Sequence, residues 1–139
     1  MEKKETLRKF KFFMVWQEKK EEKWLEMMAG NGWHLTKVRP FVYYFIKGVP
    51  QDMVYQFDFK GTPNEDWDDY LRIYKDAGWE HVTTMGGWIF FRRPKVVGES
   101  QEIFTDKVSL IEKYRRVLRL LVLSIAPAPI LLAVSFLLL

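Results

Sequence analysis

The chain has 139 residues, 48% of them apolar and 17% aromatic, enough for one domain of about 100 residues with a short appendage. Its formal charge is only +4, and residues 1–98 nearly balance at 17 basic against 14 acidic side chains, so charge makes no case for nucleic acid. There is no cysteine, which excludes disulfides, thiol catalysis and thiolate metal sites.

The N-terminus, MEKKETLRKF, carries Lys3, Lys4, Arg8 and Lys9 and lacks an apolar core, so no signal peptide is expected. A first strand is predicted from Phe10 to Trp16, then a helix from Glu18 to Asn31. Strands from Trp33 to Val38 and from Phe41 to Lys47 follow, with Pro40 marking the turn between them. From Met53 onward, Met53, Tyr55, Phe57 and Phe59 alternate with Val54, Gln56, Asp58 and Lys60, the period of a strand. Thr62, Pro63 and Glu65 then form a helix-start signature, with Thr62 as the cap. Trp67, Tyr70, Leu71, Tyr74 and Ala77 share one helical face, and Gly78 suits the left-handed residue that ends a helix. A hairpin from Trp79 to Thr84 and from Trp88 to Arg92 turns at Met85, Gly86 and Gly87.

These elements repeat. Trp24-Leu25, Met28, Gly32-Trp33 and Val42 to Phe45 recur 46 residues later as Tyr70-Leu71, Tyr74, Gly78-Trp79 and Trp88 to Phe91. The expected fold is α+β: two βαββ repeats forming one antiparallel sheet of about six strands with two helices on one face, followed by a C-terminal membrane helix. Phe12-Phe13, Tyr43 to Phe45 and Ile89 to Phe91 place bulky apolar groups on both faces of such a sheet, so its second face needs a cover. Phe13, Tyr44, Phe45 and Phe91 are the candidate partner face, covered by a protein partner, by self-association, by a ligand, or by the segment from Ser100 to Arg119.

Residues 1–98 form the expected cytoplasmic domain, 99–119 a juxtamembrane helical linker, and 120–139 the membrane segment. Leu120 to Leu139 contains no charged side chain, and twenty residues cross about 30 Å as a helix. Lys113, Arg115, Arg116 and Arg119 precede it as juxtamembrane basic residues, which face the cytoplasm and attract anionic lipid. Pro127 and Pro129 kink the segment, and a re-entrant path broken there is the alternative to a full span. The expected location is the cell membrane, with the soluble domain on the cytoplasmic side.

No reactive constellation emerges. His34 and His81 lack a second histidine at metal-ligand spacing and read as half-exposed strand residues. Glu65, Asp66, Asp68 and Asp69 suit the positive end of a helix dipole and match no calcium loop. Gly86-Gly87 is a turn rather than a phosphate loop, and all four serines lie beyond residue 99. Stacking of single-stranded nucleic acid on Phe13 and Tyr44 beside Lys11 and Arg92 is disfavoured by the balanced charge. No catalytic residue, metal or cofactor is expected.

The strings KFKFFMVWQEKKEEKWLEMMAGNGWHL, YYFIKGVPQDMVYQFDFK, DAGWEHV and GGWIFFRRP resemble the bacterial family called domain of unknown function 2812, over about residues 8–95. The markers are Trp24-Leu25, Gly32-Trp33, Tyr55, Asp58, Gly78-Trp79 and Gly87-Trp88. The resemblance implies a membrane-associated accessory protein, often encoded beside PadR-like transcriptional regulators, and it carries over no catalytic residue. The functional expectation is a membrane-anchored, non-enzymatic interaction or regulatory module that binds a protein partner such as a PadR-like regulator. The alternative is a small-molecule or lipid sensor using an aromatic-lined sheet face.

Overall fold

The structure is a computed structural model that describes residues 3–60, 64–99, 103, 107–125 and 135–136. The chain divides into two compact units, Met1–Thr105 and Asp106–Leu139. The first unit runs β1 (Thr6–Phe10), α1 (Glu18–Gly30), β2 (Trp33–Arg39), β3 (Val42–Lys47), β4 (Met53–Phe59), α2 (Trp67–Asp76), β5 (Glu80–Met85) and β6 (Trp88–Pro94), with a 3-10 turn at Val15–Gln17 leading into α1.

Its strands form two three-stranded antiparallel sheets, ordered β1-β3-β2 and β4-β6-β5, rather than the single six-stranded sheet expected. Alternation along a strand tells which residues share a face, but not which edges pair. The two sheets approach at β2 and β5 without a shared ladder. Arg92 spans the approach: Nη1 donates to the Leu35 carbonyl at 3.0 Å, while Nε and Nη2 donate to the Glu80 carboxylate at 2.8 and 3.1 Å.

The repeat extends to irregularities in the ladders. Each sheet skips one residue in its hairpin, Thr36 in the first and Val82 in the second, 46 positions apart. The outer strands break the correspondence. Leu7 faces Phe45, but Gln56 faces Phe91, three positions past the counterpart of Leu7. A shift by an odd number turns a strand over. It sends Met53, Tyr55 and Phe57 to the face of β4 that bears Phe90, and leaves Val54, Gln56 and Asp58 on the face of Ile89 and Phe91.

Both faces of the second sheet are therefore covered from within. Met53, Tyr55, Phe57 and Phe90 join a large core with Leu25, Met28 and Ala29 of α1 and with Leu35, Val38, Tyr43 and Phe45 of the first sheet. Val54, Trp79, Ile89 and Phe91 form a smaller core under Trp67, Tyr70, Leu71 and Tyr74. The helices thus do not lie on one face of one sheet: α1 serves both sheets and α2 covers the far face of the second. Although β4 is an edge strand, every residue of it is buried. Helix α1 shields it, with the Glu26 carboxylate accepting from the Tyr55 N–H at 3.4 Å and Glu22 accepting from the Gln56 amide at 3.2 Å.

Two local expectations shift. The first strand ends at Phe10, and the apolar run from Phe12 to Trp16 lies outside any strand, tied to the β2–β3 turn by the Lys11 N–H to Phe41 carbonyl bond of 3.0 Å. Bulk on successive residues marks a surface that needs cover, and period-two pairing is only one way to supply it. Helix α2 opens at Trp67 with Asp66 as its N-cap, while Thr62 and Pro63 lie outside the described residues.

In the second unit, α3 spans Lys107–Ile125 and crosses the expected border between linker and membrane segment. Among the described residues no helix is long and apolar enough to cross a membrane, which corrects the expected C-terminal membrane helix. Lys107, Glu112, Lys113, Arg115, Arg116 and Arg119 are part of α3 itself, so among the described residues its uncharged part covers Leu120 to Ile125, about 9 Å at the helical rise. Pro127 and Pro129 lie outside the described residues.

Candidate functional site

Where α1 begins, both sheets contribute to a cavity of about 280 Å³. Tyr43 comes from β3, Phe57 from β4, Met85 from β5, and Trp88 and Phe90 from β6. Glu18 and Glu21, in the first turn of α1, add two carboxylates, and residues 11–15 with Pro40 and Phe41 close the rim. Local sequence explains this arrangement. Acidic residues at a helix start complement its dipole, and the turns at both ends of the wall bring aromatics to the same place.

The Tyr43 hydroxyl donates to Glu21 Oε1 at 2.5 Å. Burial pushes the Glu21 carboxyl up from 4.5 to about 7; the Tyr43 hydrogen bond opposes that rise and the Glu18 charge adds to it. The Tyr43 phenol is raised in turn, by burial first and then by the Glu21 charge. Glu18 is only 7% exposed. The wall is thus apolar and aromatic, with one acid that changes charge near neutral pH.

On the rim, Phe12 and Phe41 touch with centroids 5.4 Å apart, and both are exposed. Outside the lining, the chain neighbours Phe10 and Trp16 are exposed too, at 75% and 79%. Lys11 lies on the rim with its ammonium 4.8 Å from the Trp24 ring centroid and 5.5 Å from that of Phe13. Phe13 sits against Trp24 and Tyr43, with centroids 5.8 and 6.3 Å away.

The four residues chosen as a partner face do not meet on one surface. Phe13 reaches the cavity; Phe45 is in the large core; Phe91 is in the small core, stacked on Tyr74 at 4.4 Å. Tyr44 points to the other face of β3 from Tyr43 and Phe45 and is half-buried. The basic residues Lys113, Arg115, Arg116 and Arg119 all lie on α3. Sequence reading passed over Glu21, Tyr43, Phe57, Met85 and Trp88. The available signal was the apolar run Phe12 to Trp16 followed at once by Glu18 and Glu21.

A second polar centre lies under α2. Asp58, 1% exposed, accepts from the Tyr70 hydroxyl at 2.7 Å, the Tyr74 hydroxyl at 3.2 Å and the Phe59 N–H at 2.7 Å. This network orders the helix on the sheet and opens to no cavity wall described above. The histidines are apart: His34 Nε2 meets the Val49 carbonyl at 2.8 Å, and His81 Nε2 meets Thr84 Oγ1 at 2.9 Å. Burial lowers the His81 pKa. Among the described residues no cluster of three or more His, Cys, Asp or Glu could hold a metal ion.

Comparison with curated proteins and with solved structures gave no match. The sequence profile of one family, described as Protein of unknown function (DUF2812), matches residues 17–126, which include α1, all strands after β1, α2 and α3. With most of its length matched, the chain belongs to the DUF2812 family.

Proposed function

We propose that the protein is a non-enzymatic binding module whose cavity takes a small apolar ligand. The observation that carries this reading is the partly open, aromatic-lined cavity of about 280 Å³ at the edge of the large core. A concave, partly open space lined by Phe57, Met85, Trp88 and Phe90 is the kind of apolar site that takes a small ligand. The wall offers no nucleophile paired with a base, which supports sensing over chemistry. Calorimetric melting of the full chain with toluene tests the reading. Toluene at about 100 times its Kd stabilises by roughly 2.7 kcal/mol if it binds only the folded chain. The Met85→Trp variant, whose side chain fills the space, loses that gain. An equal gain in the variant, or none in the native chain, would contradict the proposal.

A second reading rests on the exposed aromatics of the rim. Phe12 and Phe41 touch, and with the exposed Phe10 and Trp16 nearby in sequence they offer aromatic anchors for a protein partner; a PadR-like regulator is the partner the family resemblance suggests. Phe10→Ala with Trp16→Ala then abolishes capture of that regulator, and unchanged capture counts against it. We further propose a location at the cytoplasmic face of a cell membrane, with lipid contacting the exposed Leu120, Val122, Leu123 and Ile125 of α3 and the exposed Arg115 and Arg119 before them. Flotation of the chain with anionic vesicles that is lost at high salt supports this, and no flotation refutes it.

A further inference from the structure

We propose that the ligand is a lipophilic cation, an apolar body bearing an ammonium group, with Glu21 supplying the counter-charge. The proposal rests on the cavity being a ligand site and names the chemistry of its occupant. The Glu21 carboxylate and several aromatic rings share one small space, a combination that suits an ammonium on an apolar body. An ammonium is attracted to ring faces and to carboxylates alike, most strongly where water is excluded. An anion would meet a like charge instead.

The surroundings of Glu21 leave the counter-charge unfilled. On its own helix it faces Glu18, of the same sign, and from β3 it faces Tyr43, which donates a hydrogen bond. The residues of β4, β5 and β6 in the wall are Phe57, Met85, Trp88 and Phe90, none of them titratable near neutrality. The cation lining the cavity is Lys11, whose ammonium rests over Trp24 and Phe13 rather than in a pair with Glu21. The raised pKa of Glu21 agrees with that geometry: the acid is buried without a positive neighbour close enough to hold it ionised. Lys11 itself shows that the aromatic rim holds an ammonium.

The test compares benzyltrimethylammonium, whose charge is independent of pH, with its neutral carbon isostere neopentylbenzene, each titrated calorimetrically into the full chain. The cation is expected to bind at least tenfold more tightly at pH 8. Its affinity should rise roughly tenfold from pH 6 to pH 8 as a group with a pKa of about 7 ionises, while the isostere does not gain. Glu21→Gln should remove the pH dependence and most of the preference. Lys11→Gln, at an exposed position, should strengthen cation binding several-fold by removing a like charge from the rim. Binding of the isostere without preference for the cation would overturn the charge assignment and leave the cavity reading standing. Binding of neither compound would overturn both, and a pH dependence that persists in Glu21→Gln would overturn the role of Glu21.

Discussion

The Tyr43 hydroxyl on β3 and the Glu21 carboxylate on the first turn of α1 meet at 2.5 Å, at the wall of the cavity. The bond joins the first sheet to the helix that serves both sheets, and it fixes one acid against an aromatic wall.

Stability should record that acid. Glu21 titrates near 7 in the fold against 4.5 when exposed, so folding favours its neutral form. Its contribution is therefore most favourable below about pH 4.5, declines between pH 4.5 and 7, and stays reduced above. Urea unfolding of Glu21→Gln should show the variant gaining on the native chain between pH 5 and pH 8. The same difference at both values would contradict the assignment.

Asp58 should be the costlier partner of its network to lose. It accepts from two phenols and one backbone N–H, whereas Tyr70 gives a single bond to it. Leaving a buried donor or acceptor without its partner costs about 1–3 kcal/mol. Asp58→Asn should cost about 3 kcal/mol or more, against about 1.5 for Tyr70→Phe. Equal costs in denaturant titrations would place the weight elsewhere in α2.

The repeat predicts a contrast between equivalent glycines. Gly32 and Gly78 both have left-handed φ, 84° and 88°, so a side chain is strained at either. At Gly32 a methyl group would also lie 2.8 Å from the Gly48 carbonyl oxygen, while nothing stands within 4 Å at Gly78. Gly78→Ala should cost about 1 kcal/mol. Gly32→Ala should cost distinctly more, and thermal melts of the two variants decide the order.

Local patterns were legible in the sequence where one segment decides its own structure. Helix α1, both hairpins and the 46-residue repeat follow from spacing and turn residues, and even the skipped residues Thr36 and Val82 obey the repeat. What was not legible depends on pairing between segments. The three-residue register difference of β4 turns its aromatic side away from α2, and nothing in its own alternation reveals that. The sheet count failed for the same reason. The charge-free run from Leu120 gave no sign that α3, which holds its first residues, begins at Lys107 among basic residues. The cavity escaped because its wall draws on four strands, two connecting segments and one helix end, with only Phe13 belonging to the expected partner face.

The most direct measurement of the central claim uses the six methionines, two of which, Met14 and Met85, line the cavity. With 13C-labelled methionine methyl groups, toluene titrated into the full chain should move the Met14 and Met85 signals saturably. Met27, exposed on α1 and absent from the cavity wall, should stay in place. Unmoved Met14 and Met85 signals, or equal shifts at all methionines, would contradict a ligand site between the two sheets.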